Sequence, residues 1–317
     1  MNKKKNVIFI GGCPRSGTTM LGAMLGTADE AMTTPESHFK QTILLKSLIN
    51  TEKGINSQKF VQTLKNSFRF KIWDIDIPSF NFPNHMKAAD YQNFLYALVD
   101  TYSIKHNSQK WVTWIDHTPQ NFQEGATLLK TFPNAKFIHI IRDPRAIFSS
   151  VINVDWGPVI AEETAIWWSH KISYALAFQH RYPDKCLLVR YEDIVQNTEE
   201  SLVEICDFTG LHYRSEMILG QGFKLPKYTN LQHQLVGGAP DSSRLDKWKV
   251  NLDPQDIKKI ENLLGDMMGL FGYEKTNIEV KPRSIKEKIE KKIKTKYLKW
   301  SKYLRFNKRK GSVENGN

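Results

Sequence analysis

Val7-Ile8-Phe9-Ile10-Gly11-Gly12-Cys13-Pro14-Arg15-Ser16-Gly17-Thr18-Thr19-Met20-Leu21 is the stretch that decides the fold. Its four leading apolar residues carry no polar alternation, the pattern of a strand buried on both faces. A glycine-containing loop follows, and then Met20, Leu21, Met24 and Leu25 recur at helical spacing. Strand, tight loop and helix start in that order gather backbone N–H groups at the positive end of a helix dipole, where a phosphate is favoured. Against the phosphate-loop pattern G-x-x-x-x-G-K-[ST], Gly12, Gly17 and Thr19 fit, but Thr18 stands where lysine belongs. A nucleotide triphosphatase needs a cation between its outer phosphates, and here the nearby cation is Arg15, inside the loop.

Outward from this unit, Trp111 to Ile115, Phe137 to Ile141 and Cys186 to Val189 read as further buried strands between helical patterns. Such alternation predicts a three-layer, P-loop-like α/β fold with a central parallel sheet, followed by a basic amphipathic C-terminal helix. Asp143-Pro144 and Asp253-Pro254 each set an N-cap acceptor before a proline, which predicts two helix starts. After Pro254, the set Ile257, Ile260, Leu263, Leu264, Met267 and Met268 has the spacing of one buried face. Residues 42–110, with Pro78 and Pro83 and scattered aromatics, read as a mainly helical insertion on the acceptor side. The main domain is expected over 1–275 and a basic tail over 276–317.

Arg142 leaves the carboxyl end of one strand and Ser150 lies two turns down the helix after it, so both can reach one anion beside the sheet. Together with the first loop this makes two anion sites, where a single-loop triphosphatase needs one. Taken alone, Arg142 or Arg145 in this segment reads equally as a partner for a surface acid.

These segments, in this order, resemble the sulfotransferases that use 3′-phosphoadenosine 5′-phosphosulfate as donor. The resemblance covers roughly residues 6 to 274 and is strongest to the branch with tyrosylprotein sulfotransferases and bacterial sulfotransferases. It implies that Pro14, Arg15, Ser16, Gly17, Thr18 and Thr19 hold the 5′-phosphosulfate and that Arg142 and Ser150 hold the 3′-phosphate. Arg190-Tyr191-Glu192-Asp193 is similar to another family segment, which puts Tyr191 near the nucleotide, although the acids there read equally well as helix caps. Lys247, in Leu245-Asp246-Lys247-Trp248, matches a Lys-Trp pair and is assigned to cofactor phosphate, with Trp248 in the core. Glu36 takes the place of the branch's catalytic glutamate and is assigned general base, with Arg15 and His117 completing the catalytic set. The departure is His117, in Asp116-His117-Thr118-Pro119, where family members commonly carry lysine. It either stabilises the transferring group or serves as the base with Glu36 orienting it; His38 is a weaker candidate. The resemblance implies no metal.

The chain has 317 residues, 40% hydrophobic and 25% charged, a globular composition. Cys13, Cys186 and Cys206 lack zinc-site spacing and cannot all pair, which predicts a reducing cytosol, with Cys13 as a potential reactive exception. Neither a signal peptide nor a membrane-spanning helix is expected. Residues 281–317 hold 14 Lys or Arg against Glu287, Glu290 and Glu314, a net +11 of the chain's formal +12. Ile285, Ile289, Ile293, Tyr297, Trp300 and Leu304 form a greasy face among these lysines, so residues 285–310 are expected on an anionic membrane, at its cytoplasmic side. A polyanionic glycan would attract the same charge; nucleic acid is not expected. The expected acceptor is a hydroxyl on a saccharide or glycan. The rival readings are an ATP-dependent kinase on the same loop, and a non-enzymatic membrane or polyanion adaptor acting through the tail.

Overall fold

The apolar runs without alternation form the middle of a five-stranded parallel sheet in a computed structural model that describes residues 4–43, 54–106, 110–233 and 236–314. The chain runs β1 (Asn6–Gly12), α1 (Thr18–Leu25), β2 (Ala31–Thr33) and α2 (His38–Ile43), then β3 (Ile55–Asn56), α3 (Ser57–Lys65), α4 (Phe68–Lys71), β4 (His85–Met86) and α5 (Ala88–Lys105). It continues through β5 (Thr113–Asp116), α6 (Gly125–Thr131), β6 (Lys136–Ile141), α7 (Pro144–Val151), α8 (Ala161–Arg181) and β7 (Cys186–Arg190). The last part is α9 (Tyr191–Gln196), α10 (Thr198–Thr209), α11 (Lys247–Asn251), α12 (Pro254–Gly269) and α13 (Ile285–Glu314).

The sheet order is β2-β5-β1-β6-β7, with every neighbouring pair parallel. Successive residues of a strand point to opposite faces, so β1 feeds two cores: Val7 and Phe9 pack with α5, while Ile8 and Ile10 pack with Leu21 and Met24 of α1. A third cluster joins α7, α8 and α12 through Ile147, Trp168 and Ile260. Helices therefore cover both faces. Strand β5 begins two residues later than its apolar run, because Trp111 is tied elsewhere: its indole N–H donates to Asp100 on α5 at 3.0 Å, and the Lys5 ammonium lies over its ring. Both predicted helix starts form as capped turns, with the Asp143 side chain accepting from the Arg145 N–H and Asp253 from the Gln255 N–H.

Residues 57–105 are largely helical and share the core of the sheet's inner face; residues 44–53 and 107–109 lie outside the described residues. Trp73 is 1% exposed, and Phe80 and Phe82 pack around Phe94, so these aromatics serve the core.

The C-terminal helix forms as expected, yet its basic side meets the body. Lys302 is buried, its ammonium donating to the carbonyl oxygens of Val151 (2.8 Å) and Trp156 (3.0 Å). Arg309 forks onto Asp155 (2.7 and 2.9 Å), and Phe306 meets Phe68 edge to face. Among the described residues, no helix is long and apolar enough to cross a membrane.

Candidate active site

The carboxyl ends of β1, β5, β6 and β7 all open towards one cleft of about 570 Å³. Its floor is the loop after β1. Gly17 adopts φ 98°, a left-handed conformation that glycine enters without strain, and a side chain there would collide with the Tyr191 ring. As N-cap residue it offers no side chain to α1, so the first-turn N–H groups stay free for an anion. Arg15 also has positive φ, 76°, a strained conformation for a non-glycine residue. The hydroxyl of Ser16 is buried without a partner. Cys13 faces the core, and burial pushes its thiol well above the ordinary range, so the expectation of a reactive thiol in this loop gives way to a packing role.

The loop and the β6–α7 segment meet through Arg15. Its Nε donates to Ser150 Oγ at 3.0 Å and its Nη2 to the Gln232 carbonyl at 3.0 Å. Arg142 donates to the Arg15 carbonyl at 2.8 Å and lies 4.2 Å over the Tyr191 ring, while its Nε is buried without a partner. Burial, and next the Arg142 charge, pushes Arg15 down to about 10. Two guanidinium groups share one wall, and among the described residues no carboxylate bonds to either, which leaves positive charge there for an anion to meet. Lys247 lines the same cleft. Arg145 is different: it forks onto Asp143 and reaches Glu261 at 2.7 Å, a buried structural pair over Trp248. Glu192 takes the structural role open to it, accepting from the Asp143 N–H at 3.1 Å and from the Tyr273 hydroxyl at 2.8 Å.

Glu36 and His38 line the cleft and bond to each other, Oε2 to Nε2, at 2.6 Å. Burial works to raise the Glu36 carboxyl, but His38 first, then His117 and Arg69, hold it well below the usual range. His117 sits in a side chamber of about 20 Å³, room for roughly one water, walled also by Glu36, Arg69, Thr19 and His233. Its ring packs against Gly22, where any side chain would crowd it, and edge to face on Phe223. Neither ring nitrogen has a partner, and burial lowers its proton affinity, so it offers a neutral imidazole rather than a charge.

The Glu36 and His117 segments are tied together by a group absent from the sequence reading. Lys40, fully buried at the start of α2, donates to Asp116 Oδ2 (2.7 Å), Asn121 Oδ1 (2.6 Å) and Ser37 Oγ (2.8 Å). The Ser37 N–H donates to Thr118 Oγ1 at 2.8 Å, and the Trp73 indole to the Glu36 carbonyl at 3.3 Å. Burial opposes the Asp116 charge, but Lys40 and the Ser37 and Thr118 hydroxyls outweigh it and keep the carboxyl low. Replacing Lys40 by methionine strands that carboxylate. The expected cost is about 3–5 kcal/mol in denaturant unfolding, with part recovered in Lys40→Met/Asp116→Leu. An unchanged midpoint for the single variant would show that the pair carries no such weight.

Sequence reading also missed His233, Arg69 and Arg309. His233 borders both the cleft and the side chamber, and burial, with Arg15 next, pushes it down to about 4. Arg69 follows the half-buried Phe68 on α4, and Arg309 comes from α13, stacked 4.0 Å over Tyr228. Among the described residues, no group of three His, Cys, Asp or Glu is placed to hold a metal ion.

The family model described as "Sulfotransferase family" matches residues 7–215, more than half of the chain. Protein-tyrosine sulfotransferase 1 of Danio rerio is 24% identical over 86% of this chain and 74% of its own length. The protein-tyrosine sulfotransferase of Drosophila melanogaster is 24% identical over 86% of this chain, which spans about half (52%) of that relative. The sulfotransferase domain of the Synechococcus PCC 7002 olefin synthase shares the fold, with a TM-score of 0.51 at 21% identity over 83% of this chain and 96% of that one.

Proposed function

The chain belongs to the sulfotransferase family, and on that premise we propose that it moves the sulfuryl group of 3′-phosphoadenosine 5′-phosphosulfate to a hydroxyl, with protein tyrosine as acceptor. The observation that carries the donor is the pairing of Arg15 and Arg142 in one cleft with no carboxylate among the described residues bonded to either, beside the unpartnered Ser16 hydroxyl and Arg142 Nε. A donor with a 5′-phosphosulfate and a separate 3′-phosphate supplies the missing negative charge at both places. Tyrosine replaces the glycan expectation because two relatives spanning most of this chain are named for tyrosine.

The loop N–H groups with Thr18 and Thr19 hold the phosphosulfate, Arg142 and Ser150 the 3′-phosphate, and Tyr191 and Lys247 flank the nucleotide. In the transfer, the bond from sulfur to the phosphate oxygen breaks, a bond from sulfur to the acceptor oxygen forms, and the acceptor proton passes to Glu36. Arg15 meets the charge that collects on the leaving phosphate. Glu36 is ionised at neutral pH, as a proton acceptor must be. The His38 contact that keeps it so also weakens it as a base, and a sulfonate brought beside it acts in the opposite direction.

The test is transfer of label from ³⁵S-donor to a tyrosine peptide, a saccharide panel and a simple alcohol. Label on the peptide, removed by Glu36→Gln, is the expected result. Label on saccharide alone overturns the acceptor, and phosphate transfer from ATP without any sulfuryl transfer overturns the reaction.

A further inference from the structure

We propose that the outward face of α13 seats this protein on an anionic membrane surface. An amphipathic helix on a globular body ordinarily packs its apolar stripe inward. Here the reverse holds. Ile285, Ile289, Ile293, Tyr297, Trp300 and Leu304 are between 45% and 78% exposed, and Tyr303 stands among them. At 100° per residue they cover roughly 120° of the helix, and the opposite side carries the docking contacts. There Lys291 bonds Asp256, Lys302 is buried among carbonyl oxygens, and Arg309 forks onto Asp155. The helix is thus clamped to the body by its cations, with its apolar stripe turned to the outside.

Three features choose the occupant. The stripe is flanked and interrupted by Lys286, Lys292 and Lys296, so a second copy laid face to face would oppose like charges, whereas lipid phosphates would meet each ammonium. A soluble polyanion would match the lysines and leave the isoleucines with no partner. Tyr297, Trp300 and Tyr303 have the amphipathic rings that settle at a lipid–water boundary, and long lysine stems reach up from it. Arg309 lines the catalytic cleft from the docked side of the same helix, so the cleft lies across α13 from the stripe. The inference stands on the helix alone, whatever the cleft transfers.

The experiment is co-sedimentation of the full chain with vesicles of phosphatidylcholine, with and without phosphatidylglycerol. Binding is expected to the anionic vesicles and to weaken roughly tenfold or more in Ile293→Ser/Tyr297→Ser/Trp300→Ser. Those side chains are exposed, so the variant should keep its melting temperature and its sulfuryl transfer to a soluble acceptor. Absence of vesicle binding overturns the proposal. So does binding that the triple variant leaves unchanged and high salt abolishes, since charge alone would then account for it. A concentration-dependent dimer that the triple variant breaks assigns the stripe to a second copy instead.

Discussion

Arg15→Ala is expected to weaken binding of 3′,5′-diphosphoadenosine by about 10²–10³-fold and to remove nearly all sulfuryl transfer, because a charge-assisted contact in a buried cleft is worth about 3–4 kcal/mol there. The residue touches both halves of the site: its side chain reaches Ser150, and its carbonyl accepts from Arg142. The substitution therefore deletes one guanidinium together with its bonds to Ser150 and the Gln232 carbonyl, while the backbone carbonyl that Arg142 bonds stays in place. Arg15→Lys should recover little, since a lysine lacks the planar fork that bonds Ser150 and the Gln232 carbonyl together. Calorimetric titration with the diphosphate and kcat/KM for sulfuryl transfer are the measurements. A loss under threefold in both would remove the loop from the donor site.

Glu36→Gln is the second large effect, with kcat lower by about 10²–10⁴-fold and affinity for the diphosphate nearly unchanged. The variant keeps the shape of the side chain and deletes its capacity to take a proton. The carboxyl is held below its usual range in the folded chain, so its stabilising contribution is full above the unfolded value near 4.3 and fades as pH falls through the folded one. Wild type should thus exceed Glu36→Gln in stability at pH 7, with the gap closing under acid. If Glu36→Gln keeps its rate within about fivefold and His117→Ala loses it, the neutral imidazole is the base.

The strands were legible in the sequence for a physical reason: residues buried on both faces have no polar alternation, as in Val7 to Ile10 and Phe137 to Ile141. The helix starts at Pro144 and Pro254 were legible because a cap needs an acceptor and tolerates a missing N–H. Strand β2 left no signal, since Ala31-Met32-Thr33 is too short for any period to appear. Lys40 was illegible for another reason. A lysine at a helix start reads as solvated, and its partners Asp116 and Asn121 lie 76 and 81 residues away. The loop, Arg142 and Ser150 were found in sequence, but not that Arg15 would bridge them. The free apolar face of α13 is what its sequence pattern leads one to expect, but the docking of its opposite side was not legible, because lysines such as Lys302 read as solvated until the fold brings carbonyl oxygens to them. His233 was missed because it sits in a stretch with no periodic pattern.

In the proposed reaction, one cleft holds both ends of an adenosine 3′-phosphate 5′-phosphosulfate through Arg15 and Arg142. The most direct test of that grip is thermal melting with 3′,5′-diphosphoadenosine in the absence of metal. A clear rise in melting temperature is expected for wild type, abolished in Arg15→Ala and in Arg142→Ala, with a smaller rise for ATP and Mg²⁺. A larger rise with ATP and Mg²⁺, or none with the diphosphate, would contradict it.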